Sequence, residues 1–297
     1  MKLACPLHGT AQPRAARGPV RYAAGLSYCP ACTLEFQTDY QPPTYDATYY
    51  AAPDYAGLHR REDQRKAAQL WTLLPPGPAG RLLEIGPGLG CLLRLAHAAG
   101  WRTEAVEPVA ALHAQLPPAT VVHAVPFEQA QPDPGFNLIV MADVIEHFPE
   151  PRTALMRAAA LATPGGRLLI ETPNRGSIYA RMAGNCWAGY SPFHAFFYTA
   201  PQLTALLAAT GWRVATVATS PLDLCSLDGF WRSGLQERLR GAASADAAAP
   251  AGRNLRQRLL ASPGYWRLVA ALNALPNALA AGRGWGDQLL VVAERTA

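Results

Sequence analysis

Between Leu82 and Gly90 the chain reads LLEIGPGLG. An apolar run enters a turn holding Gly86, Gly88 and Gly90, and a helix-periodic stretch, CLLRLAHAAG, follows. This is the pattern of a buried strand, a tight turn and a helix start. Glycine lets the backbone bend and approach a ligand closely, and a helix start offers N–H groups with no partner inside the helix. A pyrophosphate-binding loop would read G-x-G-x-x-G. Here the spacing is G-x-G-x-G, and Glu84 stands two residues before the first glycine. A carboxylate there repels a pyrophosphate but favours an ammonium or sulfonium ligand. A second acid, Glu107 in AVEPVA, ends the next strand, where a carboxylate can take both hydroxyls of a ribose.

A second constellation lies near the start: Cys5-x2-His8 and Cys29-x2-Cys32. Two close pairs of soft or borderline ligands suit a tetrahedral zinc ion. Residues 1–40 are short of aliphatic side chains and rich in Cys, Pro and Gly, so they need such a staple to fold. Four protein ligands leave no open position, which predicts a structural ion. Of the other cysteines, Cys91 reads as small core filler, and Cys186 and Cys225 have no visible activating partner.

The elements that must hold these residues alternate. A helix is expected over 58–74, with Ala67, Leu70, Trp71 and Leu74 on one face, stopped by PPGPAG (75–80). RLLEIG, TEAVEP, TVVHAV, FNLIVMADV, RLLIETP and WRVATVAT read as strands. Helices are expected after the glycine turn, near 109–116, over 153–162 closing at Pro164-Gly165-Gly166, and over 201–211. Such alternation predicts an α/β fold of parallel strands with helices on both faces. GDQLLVVAER (286–295) reads as a last strand, and 242–252 is a low-complexity stretch. The expected divisions are a module at 1–40, a Tyr-rich linker and helix at 41–75, the core at 76–220, a helical insertion at 221–285 and the last strand at 286–297.

With 297 residues, half of them hydrophobic and 16% charged, the chain can bury a real core, which excludes wholesale disorder. No signal peptide and no run of apolar residues long enough for a spanning helix is seen; the stretch 268–282 is interrupted by Asn and Pro. Six unevenly placed cysteines predict no disulfide framework, and a reducing cytoplasm is the expected location.

From 81 to 220 the chain resembles the class I S-adenosylmethionine-dependent methyltransferases, in the branch whose fourth strand ends D-V-x-E-H. The resemblance is carried by LLEIGPGLG, by DVIEHF (143–148), by TPGGRLLIETPN (163–174) and by HAFFYTAPQLTALLAATGWRV (194–214). It implies a Rossmann-like sheet, mainly parallel with the last strand antiparallel. It also implies that Glu84 and the Gly86–Pro87–Gly88–Gly90 loop meet the methionine part of S-adenosylmethionine, with Glu107 and Pro108 at the ribose. Ala142 and Asp143 would lie beside the sulfonium, and Phe127 would stack on adenine. The chain departs from the family at AVPFEQ (124–129), where the acid usual at the strand end for the adenine amine is replaced by Phe127 with Glu128 either reaching the adenine or not, and at Phe136-Asn137, where Phe-Asp is usual. CPLHG and CPAC resemble the zinc-ribbon or treble-clef modules that precede some of these enzymes, with His8 in place of a cysteine.

His147 would lie near the acceptor, as a general base or as a cap of the turn before Pro149. His194 reads as a packing residue or a second catalytic group. Tyr45, Tyr49, Tyr50, Tyr190 and Trp187 are either pocket-lining or ordinary half-buried aromatics. The resemblance implies methyl transfer by in-line displacement to a small-molecule acceptor, natural-product, sugar-linked or lipid-like. A silent zinc-ribbon and Rossmann adaptor, and an RNA or protein methyltransferase, are the alternatives. Nicotinamide chemistry fails on the glycine spacing and Glu84. Nucleic acid is disfavoured, because no Asn-Pro-Pro-aromatic motif follows the fourth strand.

The net charge of +5 sits unevenly: residues 76–220 carry nine basic and nine acidic groups, whereas 231–285 carry eight arginines against Glu237 and Asp246. That segment would face an acidic or phosphate-bearing acceptor, a partner or a membrane surface, or be a solvated arginine-biased face. Only Lys2 and Lys66 are lysines.

Overall fold

The computed structural model describes residues 1–14, 25–42, 55–74, 78–221, 262–280 and 282–296. Tyr45, Tyr49, Tyr50, Cys225, the stretch 242–252 and the arginines of 231–261 lie outside the described residues.

In chain order the elements begin with three short strands, β1 (Gln12–Pro13), β2 (Leu26–Tyr28) and β3 (Glu35–Gln37), and helix α1 (Tyr55–Thr72). The alternating part holds β4 (Arg81–Ile85), α2 (Cys91–Ala98), β5 (Arg102–Val106), α3 (Ala110–His113), β6 (Val121–His123) and β7 (Phe136–Ala142). A 3-10 turn, Ile145–His147, leads to α4 (Pro151–Leu161), β8 (Ala162–Pro173) and α5 (Ile178–Ala183). Then follow β9 (Phe196–Phe197), α6 (Ala200–Ala208), β10 (Trp212–Thr219), α7 (Pro263–Ala280) and β11 (Gln288–Arg295).

Seven strands form one sheet in the order β10-β11-β8-β7-β4-β5-β6. All neighbours from β8 to β6 pair in parallel. β11 runs antiparallel to both β8 and β10. The two-residue alternation of strands divides the apolar side chains between two cores. Leu83, Ile139, Met141 and Val291 pack under α4 and α6, with Leu155, Leu203 and Leu207. Leu82, Val140, Leu169 and Leu290 face α1 and α2, with Ala67, Leu70, Leu92 and Leu93. Strands covered on both faces need continuous apolar runs, and LLVVA and NLIVMA supply them.

Two local expectations change. Pro164-Gly165-Gly166 does not separate helix from strand: α4 ends at Leu161 and β8 already begins at Ala162. The pairing jumps from Phe136↔Ala162 to Leu138↔Arg167, so 163–166 bulge out of the ladder, with Gly165 at φ 72°. The stretch 268–282 is also not broken at Asn273 or Pro276. α7 runs through Pro276, and the Asn277 side-chain amide donates to the Asn273 carbonyl (2.9 Å).

The front strands do not stand apart. β1, β2 and β3 form a second sheet that is completed by β9, with Phe36 opposite Phe196. Leu3, Cys5, Cys29, Leu34, Phe36 and Tyr40 join the same core as Leu83 and Ile139.

The last two sheet strands depend on one glycine. A Cβ on Gly286 would fall 1.9 Å from the Ser220 carbonyl oxygen, a backbone atom that cannot yield without moving β10. Gly286→Ala is expected to cost about 2 kcal/mol and to lower Tm by about 5 °C, read by thermal unfolding. An unchanged Tm would show that the turn rearranges freely.

Candidate functional site

The carboxyl ends of β4, β5 and β7 lie side by side, where parallel sheets place their ligands. The three glycines after β4 all have left-handed φ, between 52° and 66°, and each meets a different surrounding. A Cβ on Gly86 would press to 2.9 Å on Val144, just beyond β7. Gly90 is the residue before α2, and a Cβ there would meet Leu116 at 2.9 Å. Among the described residues Gly88 would meet nothing within 4 Å, so the middle of the loop is uncovered by them. Pro87 is buried and its carbonyl accepts the Gly90 N–H (2.8 Å), which closes the turn.

Two buried acids flank this space. Glu84 is 4% exposed and accepts the Leu93 N–H at the start of α2, while its Oε2 is buried with no hydrogen-bond partner. Burial pushes its pKa up to about 8. Glu107 is also buried; it accepts the Val109 N–H (2.8 Å) and the Gly88 N–H. Burial raises its pKa as well. Pro108 beside it is exposed. Phe127 packs in the main core against Phe148, with the Arg157 guanidinium over its ring. It is 3% exposed, so little of the ring is open to a base.

At the end of β7, Ala142 is half-buried and Asp143 takes φ 53°, an uncommon conformation for a residue with a side chain. Its N–H is held by the Glu171 carbonyl (3.0 Å). Lys66, from α1, lies 2.5 Å from the Asp143 carboxylate and 4.0 Å from that of Glu171. Burial opposes the Asp143 charge, but the Lys66 ammonium outweighs it and holds the carboxyl below its usual range. Sequence reasoning did not place Lys66 here. The available signal was its rarity, as one of two lysines among 26 basic residues.

Beyond Asp143 the 3-10 turn sets Glu146 and His147 beside His194. Glu146 is 1% exposed; Oε2 accepts the Thr172 hydroxyl (2.9 Å) and Oε1 has no hydrogen-bond partner. Burial, reinforced by the Asp143 charge, pushes its pKa well up. His147 Nδ1 donates to the Phe193 carbonyl and His194 Nδ1 to the Gly189 carbonyl, each at 2.9 Å. The two rings meet edge to face at 4.9 Å. Burial lowers both imidazole pKa values, that of His194 to about 4, so both rings are neutral near pH 7.

The four front residues also come together. Cys5 Sγ lies 3.5 Å from His8 Nδ1 and 3.7 Å from Cys32 Sγ, and Cys29 Sγ lies 3.4 Å from His8 Nδ1. Tetrahedral bonds of about 2.3 Å to sulfur and about 2.0 Å to nitrogen imply S–S and S–N edges of about 3.8 and about 3.5 Å. None of the four is in a disulfide or far from the others. The front module packs against the chain around His147 and His194. Gln37 donates to the carbonyls of Ser191, Pro192 and His194, the Tyr40 hydroxyl to those of His147 and Phe193, and the Ala195 N–H to that of Glu146. Tyr190 and Trp187 are buried and pack with Phe197, behind β9; they are not pocket-lining.

The profile described as a methyltransferase domain matches residues 58–217, more than half of the chain. The chain belongs to this methyltransferase family. The match covers every element from α1 to the middle of β10 and so includes the glycine loop, both flanking acids and the Asp143–His194 cluster. A ubiquinone biosynthesis O-methyltransferase of Rhodopseudomonas palustris is 30% identical over 102 residues, which is 32% of this chain and 40% of the relative. The match thus spans about two fifths of that relative's length. A methyltransferase structure from Archaeoglobus fulgidus superposes with TM-score 0.52 at 18% identity, covering 82% of this chain and 100% of that one. The [4+2]-cyclase SpnF superposes with TM-score 0.50 at 16% identity, covering 79% and 81%. At such identities the likeness concerns the fold, which the methyltransferase domain shares with a protein named for a different reaction. No helix among its described residues is long and apolar enough to cross a membrane.

Proposed function

We propose that this methyltransferase domain moves a methyl group from S-adenosylmethionine to a small-molecule acceptor. The observation that carries the reading is the open space at Gly88 between two buried acids, with one carboxylate oxygen of Glu84 unpartnered. A buried carboxylate oxygen in that state is costly unless a ligand donor completes it. An amino-acid ammonium on Glu84 and ribose hydroxyls on Glu107 fit this donor set. When bound, S-adenosylmethionine supplies a methyl carbon on a sulfonium whose leaving group is a neutral thioether. Gly88 leaves the room, and the Ala142–Asp143 backbone at the end of β7 borders the reacting side. The Lys66–Asp143 pair ties α1 over that edge, which orients the acceptor and excludes water. The acceptor we favour carries a hydroxyl, as the O-methyltransferase name of the relative suggests. The front cluster, in this reading, holds a structural zinc ion that braces the His194 segment through Gln37 and Tyr40.

Titration calorimetry with S-adenosylhomocysteine is expected to show one site per chain. Incubation with labelled methyl donor and extracts of small metabolites is expected to label an extractable product. No binding to S-adenosylhomocysteine would overturn the reading.

A further inference from the structure

We propose that Glu146, His147 and His194 form a second metal site, one that takes a divalent transition-metal ion and presents it to the acceptor hydroxyl. This inference rests on the methyltransferase reading above. The three side chains offer one carboxylate oxygen and two imidazole nitrogens, all within 4.8 Å of one another. That is a borderline donor set of the kind that binds zinc, iron, cobalt or manganese.

The orientation of each group argues for a ligand role. Each is held from behind by a hydrogen bond: Glu146 Oε2 by Thr172, His147 Nδ1 by the Phe193 carbonyl, His194 Nδ1 by the Gly189 carbonyl. An imidazole that donates Nδ1–H to a carbonyl has its lone pair on Nε2. This outer hydrogen bond is what fixes tautomer and aim in histidine ligands. His147 Nε2 lies 3.9 Å from Glu146 Oε1. Oε1 is the independent observation: it belongs to a side chain 1% exposed, it faces the cluster and it has no hydrogen-bond partner. Ligands bonded at about 2.1 Å stand about 3.4 Å apart, so a movement of about half an ångström closes this pair on an ion.

Position argues for function. The cluster follows β7, and Val144, which precedes its 3-10 turn, packs on Gly86 of the glycine loop. Three protein ligands leave open positions, unlike the four of the front cluster. A hydroxyl bound there is a stronger acid than in water. On transfer, the hydroxyl oxygen forms the bond to the methyl carbon and the carbon–sulfur electron pair stays on sulfur. The hydroxyl proton goes to solvent, and the ion is unchanged. The front module then has a reason to grip this segment: Gln37 and Tyr40 bind carbonyls of 191–194 and 147, on either side of two of the ligands.

The test uses Mn2+, which binds poorly to thiolate sites and so leaves the front cluster alone. The protein is dialysed briefly against a weak chelator, which empties an open three-ligand site before a closed four-ligand one, and titrated with Mn2+ by calorimetry. One Mn2+ per chain is expected, with affinity at least tenfold lower in Glu146→Gln and in His194→Ala. Spin-echo spectra of the Mn2+-loaded unmodified protein are expected to show imidazole nitrogen couplings, a readout independent of how the variants fold. S-adenosylhomocysteine affinity is measured on the same samples. Binding of S-adenosylhomocysteine without Mn2+ binding, Mn2+ binding unchanged in both variants, or an absence of nitrogen coupling would each overturn the metal site alone. Loss of S-adenosylhomocysteine binding by the unmodified protein would instead overturn the methyltransferase reading.

Discussion

Cys29→Ser is expected to unfold the front module and to loosen the acceptor side of the site, while cofactor binding survives. Cys29 is fully buried in the four-residue cluster. Burial works against its thiolate, but the Thr10 hydroxyl and the Cys32 and Ala31 N–H groups bring its pKa down to about 6, so it is a ready ligand. A structural zinc ion contributes about 10–16 kcal/mol to such a small module, as much as the whole stability of a typical domain. Residues 1–40 have no comparable source of stability of their own. Their sheet is closed by β9, so its loss strips Phe196 and Phe197 of their strand pairing with Phe36 and Glu35. It also removes the Gln37 and Tyr40 bonds to the chain around His194. Hydrogen exchange is the measurement. Protection is expected to vanish at 26–37 and at 194–197, and to remain in β4, β7 and β8. Methyl transfer is expected to fall at least a hundredfold, with S-adenosylhomocysteine affinity changed less than tenfold. Full protection and activity in the metal-free variant would show that the cluster holds nothing.

The other large effect concerns Glu84. Removing its charge in Glu84→Gln is expected to weaken S-adenosylhomocysteine binding by about tenfold to a hundredfold, the worth of one hydrogen bond to a buried charge. The pH dependence carries a sign that a merely structural acid would not. Burial raises the Glu84 pKa from 4.5 to about 8. In between, the folded chain keeps a proton that the unfolded chain has released. This contribution to stability is fully present below pH 4.5 and is lost as the pH rises through about 8. The ligand-free protein should therefore lose stability from pH 5 to pH 8, and Glu84→Gln should be more stable than the unmodified protein at pH 8. Affinity for the ligand ammonium should rise over the same range, because binding needs the carboxylate, and should be flat in the variant. Calorimetry and thermal melts at several pH values read both. A variant with the same affinity and the same pH slope would remove Glu84 from the binding site.

The glycine loop was legible because each requirement there is local. A left-handed φ at residues 86, 88 and 90 needs glycine whatever surrounds it. The alternating core was legible for a related reason: strands buried on both faces require continuous apolar runs. The front cluster of Cys5, His8, Cys29 and Cys32 was legible as two pairs, since two knuckles need only short spacings. The bulge at 163–166 was not, because Pro-Gly-Gly ends a helix and kinks a strand with equal ease. Only the pairing with β7 decides between them.

From residue types and spacing alone, this chain's fold class was determined and its glycine loop and the two front pairs, Cys5/His8 and Cys29/Cys32, were singled out, because those depend on neighbours in sequence. The tertiary structure decided what the distant residues do to one another. Lys66 comes 77 positions along the chain to Asp143, Gln37 more than 150 to the carbonyls around His194, and Thr172 to Glu146. These pairings are set by how helices and strands pack, and no periodicity records them. They tie an apparently separate module to the chain around His194, and they bring two histidines distant in sequence within 4.8 Å of each other and of Glu146.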